Sequence, residues 1–81
     1  MNARNFIKEM QSVIDKFEER AKEYGTINES GIEICFVNGY AVLQAEVDDE
    51  NGDTIVCDQE VEFWDEDAAP VKPLYFTATT Y

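Results

Sequence analysis

Apolar positions near the N-terminus recur at helical spacing. Phe6, Met10, Val13 and Phe17 follow one another at steps of three and four, and Tyr24 falls two turns further on. Ile7, Ile14 and Ala21 widen the same stripe. This periodicity predicts one amphipathic helix over residues 3–24. Asp15–Glu19 and Lys16–Arg20 are like-charge pairs four residues apart, so packing must hold the helix, helped by Glu18–Lys22. Asn2 or Asn5 suits the N-terminal cap, and Gly25 suits a left-handed stop.

After a polar connector at 26–30 the period changes to two. Ile32, Ile34 and Phe36 alternate with Glu33, Cys35 and Val37, which predicts a strand over 31–37. Asn38-Gly39 then predicts a two-residue type I′ hairpin into a strand over 40–47. Its register sets Val37 against Tyr40, Phe36 against Ala41, Ile34 against Leu43 and Ile32 against Ala45. A second Asn-Gly lies in the acidic turn Asp48–Asp53. A three-residue loop, Glu50-Asn51-Gly52, would pair Val47 with Ile55. That register keeps Ile55, Cys57, Val61 and Phe63 on the core face, whereas a slip of one residue would turn the set to water. The third strand runs over 54–64, with Val56, Asp58, Glu60, Glu62 and Trp64 outward. Pro70 and Pro73 forbid helix, and a Thr- and aromatic-rich strand at 74–80 ends the chain at a sheet edge. The pattern does not decide whether this strand lies beside the first or the third. The expected fold is α+β: one N-terminal helix on one face of a four-stranded antiparallel sheet, two layers, one domain over 1–81.

Composition changes this picture in one respect. The formal net charge is −12, and residues 23–71 hold fourteen acids with no Lys or Arg. Ten aromatics and 44% hydrophobic residues argue that the acids decorate a folded body and not a disordered tail. Such a field repels nucleic acid and anionic membrane and attracts basic protein surfaces. The N-terminus reads as neither a signal peptide nor a membrane span. Cys35 and Cys57 fall on opposite sheet faces, and two buried or half-buried thiols in a reducing cytoplasm are expected.

With the helix on one face, the other carries Asp58, Glu60 and Glu62 in a row, flanked by Glu46 and Glu33. Asp48, Asp49, Glu50 and Asp53 lie in the turn, and Asp65, Glu66 and Asp67 beyond the third strand. Glu46, Asp48, Asp49, Glu50, Asp53, Asp58, Glu60, Glu62, Asp65, Glu66 and Asp67, with Trp64 as an apolar anchor, are the expected partner-binding residues. Carboxylates at fixed spacing on a rigid sheet imitate part of a nucleic-acid backbone. The blander reading is a solvated face whose like charges prevent aggregation. At the apolar end, Val37, Tyr40 and Val42 are expected to support self-association into a homodimer.

Catalysis is not expected. There is no histidine, the serines Ser12 and Ser30 are isolated, and no glycine-rich phosphate loop is present. The turn at 48–53 matches a calcium loop poorly, because Val47 and Val56 fall at ligand positions. No cofactor or metal is expected. In size, acidity and lack of catalytic residues the chain is similar to small phage inhibitors such as anti-restriction and anti-CRISPR proteins, many of which mimic DNA. This likeness is one of composition and carries over no residues. Two functions are therefore expected in turn. The first is a cytoplasmic inhibitor or adaptor that occupies the basic, nucleic-acid-binding surface of a protein partner. The alternative is a non-catalytic structural or interaction module, dimeric, with acidity serving solubility.

Overall fold

The computed structural model describes residues 2–62 and 71–80. Helix α1 spans Ala3–Lys22, followed by strands β1 (Thr26–Ile27), β2 (Glu33–Val37), β3 (Tyr40–Asp48), β4 (Thr54–Glu62) and β5 (Lys72–Thr80). The Asn2 side chain caps the helix, accepting from the backbone N–H of Arg4 at 2.9 Å and Asn5 at 3.3 Å. Met10, Val13, Phe17 and Ala21 form the buried stripe. Lys22 bonds Glu18 at 3.3 Å on the solvent side.

The helix stops at Lys22, two residues before the expected end. It closes with three-residue turns, Glu23 N–H to Arg20 O and Tyr24 N–H to Ala21 O. Gly25 has a different task from the expected left-handed stop. Its φ is +154°, and a Cβ there would sit 2.3 Å from the backbone oxygen of Asp48. Glycine lets the chain press against β3 and enter β1, which pairs Thr26 with Asp48 and Ile27 with Val47. The expected connector at 26–30 thus contributes a fifth, two-residue strand.

All strands pair antiparallel. The order is β1-β3-β4-β5, with β2 also on β3 beyond the end of β1. The hairpin turn has positive φ at both Asn38 (39°) and Gly39 (84°), as a type I′ turn requires. Val37–Tyr40, Phe36–Ala41 and Ile34–Leu43 pair in the expected register. β2 starts at Glu33, so Ile32 stands outside its ladder. At the second turn Asp49 N–H bonds Asp53 O at 3.0 Å, enclosing Glu50-Asn51-Gly52, with Gly52 at φ +83°. Val47 therefore meets Ile55. The last strand begins at Lys72 and lies beside β4. Phe63 and Trp64, expected to end the third strand, lie outside the described residues.

The core joins the helix stripe to Ala41, Leu43, Ala45 and Val47 of β3, Cys57 and Val61 of β4, and Val71. Gln59 is the one buried polar residue among those described. It stands on the core face, and its Nε2 donates to Glu60 O at 3.0 Å. Two expectations about burial are corrected. Ile34 and Phe36 lie on the helix side of β2 yet are 42% and 60% exposed, and Ile7 is 65% exposed. The helix lies over β3 and β1, and Phe17, Tyr24 and Arg20 reach from it to Phe76 of β5. The Arg20 guanidinium lies 4.1 Å from that ring centre. β2 lies beyond these main helix contacts, which leaves its helix-side residues exposed. Cys35, expected to be at least half-buried, is exposed because it stands on the sheet face turned away from the helix, while Cys57 on the core face is buried.

Candidate interaction surface

The face of the sheet turned away from the helix is built by register. Strand pairing aligns Glu33, Gln44, Asp58 and Thr77 in one transverse row. A second row holds Cys35, Val42 and Glu60, and a third holds Val37, Tyr40, Glu62 and Lys72. Along β4, Asp58, Glu60 and Glu62 alternate with core residues, which sets their Cα atoms roughly 6.6–6.8 Å apart. The ladder between β4 and β5 is irregular between Gln59 and Val61 and skips Glu60. A bulge at that point bends the strand beside the central carboxylate.

The acids differ in what holds them. Asp58 accepts from Gln44 Nε2 at 3.0 Å, and Glu46 from Asn28 Nδ2 at 2.9 Å. Asp48 accepts from the Thr54 hydroxyl at 3.3 Å. These donors are neutral and leave each charge in place. Asp49 has a structural task, because its Oδ1 accepts the backbone N–H of both Asn51 and Asp53 at 2.9 Å. Glu50, Asp53, Glu60 and Glu62 make no side-chain hydrogen bond or ion pair among the described residues. The one ion pair among them is Lys22–Glu18, on the helix.

The expected site residues divide into two groups. Asp58, Glu60 and Glu62 share the open face. Asp48, Asp49, Glu50 and Asp53 sit at the turn, and Thr54 to Glu62 spans about 27 Å of strand. Among the described residues no three acids or thiols converge closely enough to hold a metal ion. Trp64, Asp65, Glu66 and Asp67 lie outside the described residues. Val37, Tyr40, Val42 and Glu60 line an open depression of about 430 Å³, so the apolar end and the carboxylate row are continuous.

Lys72 is the residue that sequence reasoning missed. It stands opposite Glu62 and brings one cation to the edge of the acidic face. Its distance in sequence hid this, since the placement of the last strand decided it. Among the described residues no helix is long and apolar enough to cross a membrane. Comparison of the chain with protein-family models, with curated proteins and with solved structures found no match.

Proposed function

We propose that this protein is a non-catalytic inhibitor or adaptor of the cytoplasm whose acidic sheet face occupies the basic, nucleic-acid-binding surface of a partner protein. The carrying observation is the row Asp58, Glu60 and Glu62 on the face that the helix leaves open, with neutral residues on β3 as its neighbours. A β-ladder fixes the backbone spacing of the row before binding, so a groove lined with Lys and Arg has only the side chains to order. Duplex DNA offers about one charge per 1.7 Å of axis, so the row replaces only part of a backbone. The turn acids extend the field along the sheet. The net charge of −12 steers a basic partner in, and the association rate falls as salt rises. An anti-restriction or anti-CRISPR role is one setting in which such a surface acts.

The test is charge reversal. Asp58→Lys, Glu60→Lys and Glu62→Lys together should abolish capture of a nucleic-acid-handling partner that the wild-type chain binds and that excess DNA displaces. Unchanged affinity of the folded triple variant would end this reading.

The depression lined by Val37, Tyr40 and Val42 favours a second reading, a dimeric interaction module whose acidity serves solubility. Under it the triple variant still self-associates, and a monomer at high concentration contradicts it.

A further inference from the structure

The two Asn-Gly turns are held differently. At the acidic turn Asp49 Oδ1 accepts the N–H of both Asn51 and Asp53 at 2.9 Å, and Gly52 N–H donates to Asp49 O at 3.1 Å. The peptide joining Asn51 to Gly52 is thus tied down through its own nitrogen. At the hairpin between β2 and β3 the two closing bonds belong to Val37 and Tyr40. Neither Asn38 nor Gly39 makes a hydrogen bond among the described residues. Both asparagines are exposed.

We propose that Asn38 is a site of spontaneous deamidation, and that Asn51, although glycine follows it too, is protected by its turn. Asparagine before glycine is labile because glycine leaves its peptide nitrogen uncrowded. In the reaction Gly39 N gives up its proton and bonds to Asn38 Cγ. The Cγ–Nδ2 bond breaks, and ammonia leaves with that proton. Water then opens the cyclic imide at one of its two carbonyls. Opening at the former side-chain carbonyl gives an aspartyl residue. Opening at the main-chain carbonyl gives an isoaspartyl residue, whose backbone is one methylene longer.

Three features select Asn38. Ring closure requires rotation about the asparagine Cα–C bond, so each turn must open first, and a turn held by fewer bonds opens more often. The nucleophile differs as well. Gly52 N must leave Asp49 O before it can attack, whereas Gly39 N has no such bond to lose among the described residues. Charge acts in the same direction. The attacking form is a deprotonated amide, and Asp49, Glu50 and Asp53 disfavour one more negative charge at Gly52 N. Asn38 and Gly39 stand between Val37 and Tyr40, and Glu62, opposite Tyr40, is the acid that the described ladder brings to that end of the sheet.

Both products add a negative charge to the net −12, but only one of them keeps the hairpin. An aspartyl residue before glycine still fits a type I′ turn. The longer isoaspartyl backbone does not fit a two-residue loop in the Val37–Tyr40 register. β2 is held in the sheet through its ladder with β3, so it would loosen. The depression lined by Val37, Tyr40 and Val42 would then lose its β2 side, while the carboxylate row on β4 stays in place.

The full chain would be held at neutral pH and body temperature in water labelled in its oxygen. It would then be digested, and the peptides holding Asn38 and Asn51 followed separately by mass spectrometry. A parallel sample in concentrated urea gives the rates without the fold. There the two asparagines should convert at similar rates, because glycine follows both. In the folded chain Asn38 should convert at least about tenfold faster than Asn51, the factor that one hydrogen bond is worth. Asp49→Ala removes the two bonds to Asp49 Oδ1 and should raise the Asn51 rate toward that of Asn38. Equal rates in the folded wild-type chain, or faster conversion of Asn51, overturn the proposal. So does a folded chain whose Asn38 stays intact over the time in which the chain in urea converts completely. If Asp49→Ala does not fold, the wild-type ratio decides alone. The isolated isoaspartyl form should lose amide-exchange protection at Val37 and keep it at Val61. Full protection at Val37 in that form would overturn the loss of β2.

Discussion

At position 25 the backbone of a neighbouring strand excludes a side chain. A Cβ would lie 2.3 Å from Asp48 O and 2.8 Å from Asp48 C, and neither atom belongs to a flexible group. The positive φ adds strain for any L side chain. Gly25→Ala should therefore cost at least about 2 kcal/mol, as overpacking against a fixed wall together with a disfavoured dihedral does. A urea titration reads this directly, and a loss below half that value contradicts the close approach. The cysteines make a second residue-scale case. Burial, and then the charge of Asp58 beside it, push the Cys57 thiol above the ordinary thiol range. The folded state holds that proton more tightly than the unfolded state does. The stability tied to it is therefore intact below the unfolded thiol's pKa of about 8.5 and is lost as pH rises above it. Cys57→Ser should flatten this alkaline decline. At neutral pH a thiol reagent should modify the exposed Cys35 and spare Cys57 until the chain unfolds.

At the scale of elements, one aromatic cluster ties the helix to the last strand. Phe17 is 1% exposed and sits 5.9 Å from Phe76, which Tyr24 and Arg20 also contact. Phe17→Ala should cost about 3–5 kcal/mol. Against a total of roughly 0.05–0.15 kcal/mol per residue, that removes most of the stability. Thermal unfolding should become broad or begin at room temperature. The helix and the two hairpins were legible in the sequence because their signals are local: a three-four apolar stripe, and Asn-Gly between alternating runs. The acidic turn's register was legible too, since only one loop length keeps Ile55 and Cys57 inside. Three features were not legible, each for a reason of tertiary contact. β1 exists because Gly25 lets the chain press on Asp48. β5 lies beside β4 because of a long-range pairing that no local pattern marks. Ile34 and Phe36 alternate as core residues do, yet they stay exposed because the helix packs mainly on β3 and β1 and not on β2. For the acidic row, alternation along β4 placed Asp58, Glu60 and Glu62 on one face. It could not show Lys72 across from Glu62, nor the hydrogen bonds that tie Asp49 into its turn.

At the scale of the whole molecule, a charge of −12 on an 81-residue chain works against its own folding. The described residues answer it with one ion pair, on the helix, and with neutral donors on the acidic face. Added sodium chloride should therefore raise the urea midpoint between low and physiological ionic strength, over the range in which the screening length shrinks from about 30 Å to about 8 Å. A midpoint indifferent to salt would mean that self-repulsion is negligible. The sheet keeps this charge at fixed spacing on one open face.

The most direct measurement is a paired affinity capture. The wild-type chain and the folded triple variant Asp58→Lys, Glu60→Lys, Glu62→Lys would be exposed to the same lysate, and each eluted once with a salt gradient and once with excess DNA. The account predicts a nucleic-acid-handling protein on the wild-type chain, released by both eluants and absent from the variant. Equal recovery on the two chains, or a partner that DNA does not displace, would contradict it.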